Sequence, residues 1–190
     1  MEYVLKKMMW ENNNELFIMK KSYVLTIKSE DRPGLLHLIT GIIERRLLKI
    51  KSLSLAPTDV SFITLISIEL NATEKEITLL ALKLENLIEV LQVEVKLYDQ
   101  ALCLRATYFK LDKALLDKAQ FSVLNKYGAV IVNWSSESFL AAKYGSDASI
   151  LNLYNELDGP HLLGFIQTGL ITDTDLIGEE ESSVISRLAA

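Results

Sequence analysis

The most constraining feature of this sequence is an order of strand-like and helix-like stretches that occurs twice. Residues 23–28 alternate in polarity and carry β-branched and aromatic side chains, which predicts a strand. Apolar residues at helical spacing then predict a helix from Leu35 to Leu47, and alternation predicts strands at 49–55 and 61–70. A second helix is expected to begin with a cap formed by Thr73 and Glu76 and to extend to Leu87, and a last strand is expected at 90–98. Antiparallel strands joined by two crossing helices form an α+β sandwich with both helices on one face of the sheet.

The same order recurs in the second half of the chain. One helix is expected after Asp112, and another is expected from Ser146 to the stop signal Asp158-Gly159-Pro160. The first of these helices carries Leu116, Ala119, Val123 and Leu124. Strands are expected at 102–109, 128–132, 138–144 and 161–168. We therefore predict an α+β fold of two tandem ferredoxin-like βαββαβ modules, each an antiparallel sheet with its helices on one face. The expected boundaries are an N-terminal extension at 1–21, a first module at 22–98, a second at 101–177 and an acidic tail at 178–190.

Composition and charge exclude several classes of function. The 190 residues are 49% hydrophobic, which is enough for a sizeable core, and the net charge is −5 without a basic block. Nucleic acid is therefore not expected as a partner, since phosphate binding needs clustered Lys and Arg. No apolar run approaches the length that spans a bilayer, and the single cysteine, Cys103, fits a small buried hydrophobe in a reducing compartment. These features favour a cytoplasmic protein that does not bind membranes.

The sequence offers no reaction centre. The two histidines, His37 and His161, have no Cys, His or carboxylate near them at metal-ligand spacing. There is no Gly-rich phosphate loop, no zinc-protease motif and no nucleophile elbow. We therefore expect no catalytic residues and no metal site, which favours a binding or regulatory module over an enzyme.

The turn Asp31-Arg32-Pro33-Gly34 is the candidate binding site. Asp31 is expected to cap the first helix, with Pro33 in its first turn. The N-terminus of a helix carries unsatisfied N–H groups and partial positive charge, so it can hold a carboxylate. Gly34 has no side chain, so a ligand can approach the backbone closely. The alternative is a tight strand-to-helix turn that binds nothing.

The residues around this turn resemble a known family. DRPGLLHLITGIIERR after a strand looks like an ACT domain, a small-molecule sensing module. The segment from Arg45 to Ile68 resembles the small regulatory subunit of acetolactate synthase (acetohydroxyacid synthase), whose N-I-x-S-L-x-V-x-P-T-x-D pattern is matched at Ile50, Ser52, Leu53, Pro57 and Thr58. The resemblance extends from Ser22 to Ile177 and includes an ACT-like second module with Thr168-Gly169 near its end.

The resemblance implies a non-catalytic subunit. In this family the first module forms a homodimer by joining sheets edge to edge, and a branched-chain amino acid, usually valine, binds at the seam. The catalytic partner is the large subunit of acetolactate synthase, which holds thiamine diphosphate, magnesium and FAD, and none of these is expected in this chain. The Gly34 and Leu35 N–H groups would hold the carboxylate of the effector. The implied effector site combines Asp31, Gly34, Leu35 and Leu36 from one chain with Lys49 and Ile50 from the other.

Two positions depart from the family pattern. Where the family has Gly and Asn in R-G-x-N-I, this chain has Leu47 and Lys49. An Asn would offer a carbonyl to the ammonium group of the effector, whereas Lys49 has only donors and a positive charge. We therefore expect activation of the catalytic subunit with a reduced response to valine. Two alternatives stay open: a free-standing tandem ACT protein that senses another amino acid, and an enzyme in its own right.

Overall fold

The computed structural model describes residues 20–116 and 121–172. The chain divides into two compact units, Met1–Gln100 and Ala101–Ala190. The predictions of an N-terminal extension and of an acidic tail fall largely outside the described residues, as does Ala119.

The first unit has the expected order of elements. They are β1 (Lys21–Glu30), α1 (Leu35–Glu44), β2 (Ile50–Pro57), β3 (Ile63–Ala72), α2 (Glu74–Glu85) and β4 (Val90–Leu97). The strands are antiparallel and lie in the order β2-β3-β1-β4, so β2 and β4 are the edges. This is the βαββαβ module that the sequence predicts.

One face of this sheet and one stripe of each helix form the core of the first unit. Alternate β1 side chains point to the helices, because successive residues of a strand face opposite sides. Tyr23, Leu25 and Ile27 are buried there against Ile39 and Ile43 of α1 and against Ile77, Leu80 and Leu84 of α2. The α2 helix begins with the predicted capping box, in which the Thr73 hydroxyl accepts from the Glu76 N–H and the Glu76 carboxylate accepts from the Thr73 N–H.

The second unit repeats the strand order of the first. Its elements are β5 (Cys103–Asp112), a 3₁₀ turn (Lys113–Leu115), α3 (Phe121–Lys126), β6 (Val130–Trp134), β7 (Ser138–Gly145), α4 (Asp147–Leu157), β8 (Leu162–Gln167) and β9 (Ile171–Thr172). The order β6-β7-β5-β8 matches that of the first unit, and β9, which the sequence did not predict, pairs with the start of β5. The fold is therefore two tandem ferredoxin-like modules, as predicted.

Some local predictions for the second unit are wrong. Asp112 does not cap an α-helix: its carboxylate accepts from the Ala114 N–H at 2.7 Å and closes the short 3₁₀ turn instead. Trp134 is the last residue of β6 rather than the residue after a strand.

Other local predictions for the second unit are confirmed. Ser146 caps α4 as predicted, through a hydrogen bond from the Ser149 N–H. Cys103 is buried, as predicted. Among the described residues, no helix is long and apolar enough to cross a bilayer.

Candidate functional site

The β1–α1 turn lies where three loops of the first unit meet. The Asp31 N–H donates to the Phe62 carbonyl at 2.7 Å, which ties the turn to the loop between β2 and β3. The Glu30 N–H donates to the Glu89 carbonyl at 2.8 Å, which ties it to the loop before β4. The turn is therefore fixed from both sides by backbone hydrogen bonds.

The helix cap lies three residues later than the sequence predicts, and Asp31 does not form it. The cap residue is Gly34, which has a φ of 88° and makes no side-chain capping bond. A left-handed φ is strained for any residue with a side chain, so the turn itself requires glycine. Pro33 lies before the helix, where its fixed φ costs no hydrogen bond.

The N-terminus of α1 presents some of its backbone N–H groups to solvent. The Leu35 N–H donates to the Arg32 carbonyl at 3.3 Å, so that group is used within the turn. The first intrahelical bond runs from Leu38 to the Gly34 carbonyl, so the N–H groups of Leu36 and His37 point out of the helix end. A β-carbon placed on Gly34 would have no atom within 4 Å, so the approach to these groups is open.

The six predicted effector residues do not come together within one chain. Asp31 and Gly34 are exposed at the start of α1, and Leu36 lies half exposed beside them, whereas the Leu35 side chain is buried in the core. Lys49 and Ile50 lie at the start of β2, after the helix has returned across the sheet. The ten residues of α1 span about 15 Å, so the two groups sit at opposite ends of it.

The connection from α1 to β2 shows the backbone conformation at Leu47, where the family pattern has Gly. Leu47 was predicted to lie on the buried helix stripe, but it follows the helix, has a φ of 57° and is 90% exposed. Its N–H donates to the Glu44 carbonyl at 2.8 Å, and the next N–H, that of Leu48, donates to the Ile43 carbonyl at 3.4 Å. This pair of bonds is the left-handed helix cap that glycine favours, and the buried contact of Leu48 completes it.

Sequence reasoning missed two residues near the site. Ser29 ends the alternation of β1; it is fully buried, and its hydroxyl has no hydrogen-bond partner in the described part of the chain. Phe62 was predicted to lie in a strand, but it has a φ of 65°, is 82% exposed and holds Asp31 through its carbonyl. A serine at the end of an apolar strand was a visible signal, whereas nothing in the sequence marks a left-handed phenylalanine.

Several ionisable groups elsewhere in the described residues form local pairs. Tyr127 and Lys126 donate to the same Glu156 oxygen at 2.6 and 2.7 Å. The hydrogen bond to Glu156 raises the pKa of both donors, and the two donors lower the pKa of the Glu156 carboxyl. The Glu76 carboxylate accepts a hydrogen bond from the Thr73 N–H, and this bond lowers the pKa of Glu76. No group of three or more His, Cys, Asp or Glu side chains in the described ranges is arranged to hold a metal ion.

Comparison with known proteins finds a family model that matches most of the first unit. The family model described as the AHAS small subunit-like ACT domain, where AHAS is acetohydroxyacid synthase, matches residues 25–92. Residues 25–92 are therefore similar to the ACT domain of this family. The match covers the helix start at Gly34, the cap at Leu47 and all of β2, so the candidate site lies within it. No curated protein sequence matches the chain at a significant level.

A solved structure shares the fold beyond the ACT domain. The small subunit of acetolactate synthase from Thermotoga maritima is 16% identical, with a TM-score of 0.72 over 80% of this chain and 96% of that chain. The regulatory subunit of aspartate kinase from Thermus thermophilus is 10% identical, with a TM-score of 0.41 over 74% of this chain and 96% of that one. The ACT domain of GTP pyrophosphokinase from Chlorobium tepidum is 24% identical, with a TM-score of 0.37 over 41% of this chain and 100% of that domain.

Proposed function

We propose that this protein is the regulatory small subunit of acetolactate synthase, which binds the thiamine-diphosphate-dependent catalytic subunit and raises its turnover. The observation that carries the proposal is the match of residues 25–92 to the AHAS small subunit-like ACT domain. The fold shared with the small subunit from Thermotoga maritima supports it. The chain itself is non-catalytic, and thiamine diphosphate, magnesium and FAD belong to its partner.

The geometry of β2 supports a homodimer as the working form. β2 is an edge strand, so within the part of the chain that the structure describes, half of its backbone donors and acceptors have no strand beside them. Antiparallel pairing of two β2 strands about their centre sets Ile50 of one copy beside Pro57 of the other. Leu55 points to the helix side of the sheet but stays about half exposed in a single chain, and a second copy would cover it.

This pairing would complete the effector site. Pro57 leads into the loop that holds Asp31 through Phe62, so Lys49 and Ile50 of a second copy arrive near the start of α1. The effector carboxylate would accept from outward N–H groups of the helix end, of which Leu36 and His37 supply two. Ile50 and Leu36 would contact its aliphatic side chain. The site would thus exist only between two chains.

Lys49 determines which effector this site can hold. An amino acid bound by its carboxylate at the helix end carries an ammonium group that would lie near Lys49. Two such charges about 4 Å apart repel by about 1–4 kcal/mol, depending on local solvation. We therefore propose that valine binds weakly and that feedback inhibition by valine is reduced.

The proposal is tested by mixing the full chain with an acetolactate synthase catalytic subunit and measuring acetolactate formation with and without valine. The expected result is a rise in turnover with little inhibition by valine. The Lys49→Asn variant should activate equally well and respond to valine at about tenfold lower concentration or better, because it exchanges a repelled cation for a carbonyl acceptor. If a saturating concentration of this protein leaves the turnover of the catalytic subunit unchanged, the protein is not its regulatory subunit. Micromolar valine affinity of the unaltered chain by calorimetry refutes the role of Lys49.

A further inference from the structure

The helix side of the second sheet carries a polar row of side chains beside the start of α4. Thr107 of β5 is paired with Lys143 of β7 and with Gln167 of β8. All three point to the helices, because Thr107 lies two residues before Phe109, which is buried in the core of the unit. The side of the sheet that forms the core therefore ends in polar groups.

The equivalent row of the first unit is apolar. In each unit this row includes the residue three positions before the cap of the helix that follows the third strand. In the first unit it consists of Tyr23, Leu70 and Leu97. Tyr23 and Leu70 are buried in the core, and Leu97 packs against it. The fold does not require polar side chains at this place, so their presence in the second unit needs another reason.

The start of α4 lacks the carboxylate that closes the start of α2. The third residue of the helix is Glu76 in α2 and Ser149 in α4. The Ala148 N–H has no hydrogen-bond partner among the described residues, because the first N–H groups of a helix have none within it. The start of this eleven-residue helix is therefore able to hold a negative group.

Thr107 supplies a buried hydroxyl that faces this helix start. Its side chain is 1% exposed, and the hydroxyl has no hydrogen-bond partner in the described part of the chain. Its neighbours on the same side of the sheet, Arg105 and Gln167, both donate to the Asp147 carboxylate, at 2.8 and 3.1 Å. Asp147 is the first residue of α4, so Thr107 lies beneath the first turn of that helix. A ligand oxygen at this place would supply the partner that the buried hydroxyl lacks.

Lys143 brings a positive charge to the same place. Its Nζ and the Ser149 Cβ each lie 3.5 Å from the point that a β-carbon on Gly145 would occupy, so the ammonium group lies beside the first turn of α4. Within the described ranges this ammonium group forms no ion pair and no hydrogen bond. The side chain is half-buried, and an anion would neutralise its charge there. Its flexible four-carbon stem can shift to admit that anion.

We infer that the start of α4 binds a small oxyanion, either a carboxylate or a phosphate. The Lys143 ammonium group pairs with the anion, and the Ala148 N–H and the Thr107 hydroxyl donate to its oxygens. Charged and neutral donors that converge on one point are what a carboxylate or phosphate needs. The inference concerns the second unit alone and does not depend on the proposed regulatory function.

The test follows the backbone amide signals of the full chain by NMR while sodium phosphate or sodium acetate is added at constant ionic strength. The expected result is a saturable shift of the Ala148 signal with a dissociation constant of about 1 mM, which is in the range for a ligand of so few atoms. Saturation by phosphate alone identifies a phosphate site, and saturation by acetate alone identifies a carboxylate site.

Three variants assign the binding groups. Lys143→Met should weaken binding by about tenfold or more, because a charge-assisted hydrogen bond is lost. Lys110→Met is the matched control and should bind normally, since Lys110 lies on the other side of the same sheet. Thr107→Val should weaken binding by about threefold to tenfold without lowering the unfolding temperature, because the hydroxyl has no partner within the described residues.

The contrary results are equally specific. If neither anion gives a saturable shift of the Ala148 signal, or if Lys143→Met binds as tightly as the unaltered chain, the inference is overturned. If Thr107→Val unfolds at a clearly lower temperature, the hydroxyl has a structural role and does not belong to the site. These measurements need no catalytic subunit, so a failure here leaves the proposed regulatory function intact.

Discussion

Replacement of Leu47 by glycine should stabilise the first unit. Leu47 is held at a φ of 57° by the two hydrogen bonds that close α1, and its side chain is 90% exposed. The strained backbone therefore gains almost nothing from side-chain packing. Leu47→Gly keeps both hydrogen bonds and removes the steric conflict between the β-carbon and the backbone.

The size of the effect follows from two opposing contributions. Relief of a left-handed conformation is worth about 1–2 kcal/mol for a residue with a β-carbon. The greater freedom of glycine in the unfolded chain offsets about 0.4–1 kcal/mol of this gain. We expect a net increase in the free energy of unfolding of about 0.5–1 kcal/mol.

The assay must report the first unit alone, because the chain has two units and need not unfold in a single step. Hydrogen exchange of peptides from β3 (Ile63–Ala72), measured in increasing urea by mass spectrometry, gives the opening free energy of that unit. Leu48→Ala is the control: Leu48 is buried in the same connection, so its truncation should lower the opening free energy by about 2–4 kcal/mol. A Leu47→Gly variant no more stable than the unaltered chain would show that the left-handed cap carries no strain.

Three further predictions follow from the caps and the ionisable pairs. Gly34→Ala should destabilise the first unit, because the backbone φ at Gly34 is 88°, whereas Gly41→Ala inside α1 should stabilise the unit by about 0.5–1 kcal/mol. Equal effects of the two substitutions in the same hydrogen-exchange assay would contradict the assigned conformations. Glu156→Gln should make Tyr127 ionise at lower pH in ultraviolet difference titration, because the bond to Glu156 raises its pKa and stabilises the fold until pH rises through that value; an unchanged titration is the contrary result. The free energy of unfolding of the first unit should fall as pH drops through the lowered pKa of Glu76. If urea titrations of a Glu76→Gln variant show the same dependence of that free energy on pH, Glu76 is not its cause.

The sequence predicted the fold because its periodic patterns agree with its end signals. In α2, apolar spacing, the Thr73 cap and Glu76 three residues later all indicate the same helix, and the structure has it. Alternation in β1 and β3 likewise identifies the face that meets the helices. Local pattern and tertiary packing agree in these elements, so each supports the other.

The sequence failed where the backbone takes an unusual conformation. Leu47 continues the helical spacing, but the spacing cannot show that the helix has ended and that Leu47 has a left-handed backbone conformation. The side chain of Leu48 is buried, whereas that of Leu47 is exposed. Asp31 is a good helix cap by type, but its N–H is bonded to the Phe62 carbonyl and the helix begins only after Gly34. A hydrogen bond between two loops that are distant in sequence cannot be predicted from local residues. The proposed effector site would depend on such contacts and on a second chain, so the local sequence could predict only that a helix starts near Gly34.

The two edges of the first sheet differ in what they would build if left unprotected. Pairing of β2 with β2 of another chain is complete after two chains. Pairing of β2 with β4 of another chain would leave an unpaired edge strand at each end, and the assembly would grow into a fibre. Irregular backbone at the β4 edge disfavours this growth, because the register of β4 shifts beside Ser29. Substitutions that make β4 regular should therefore first lower the solubility of the protein.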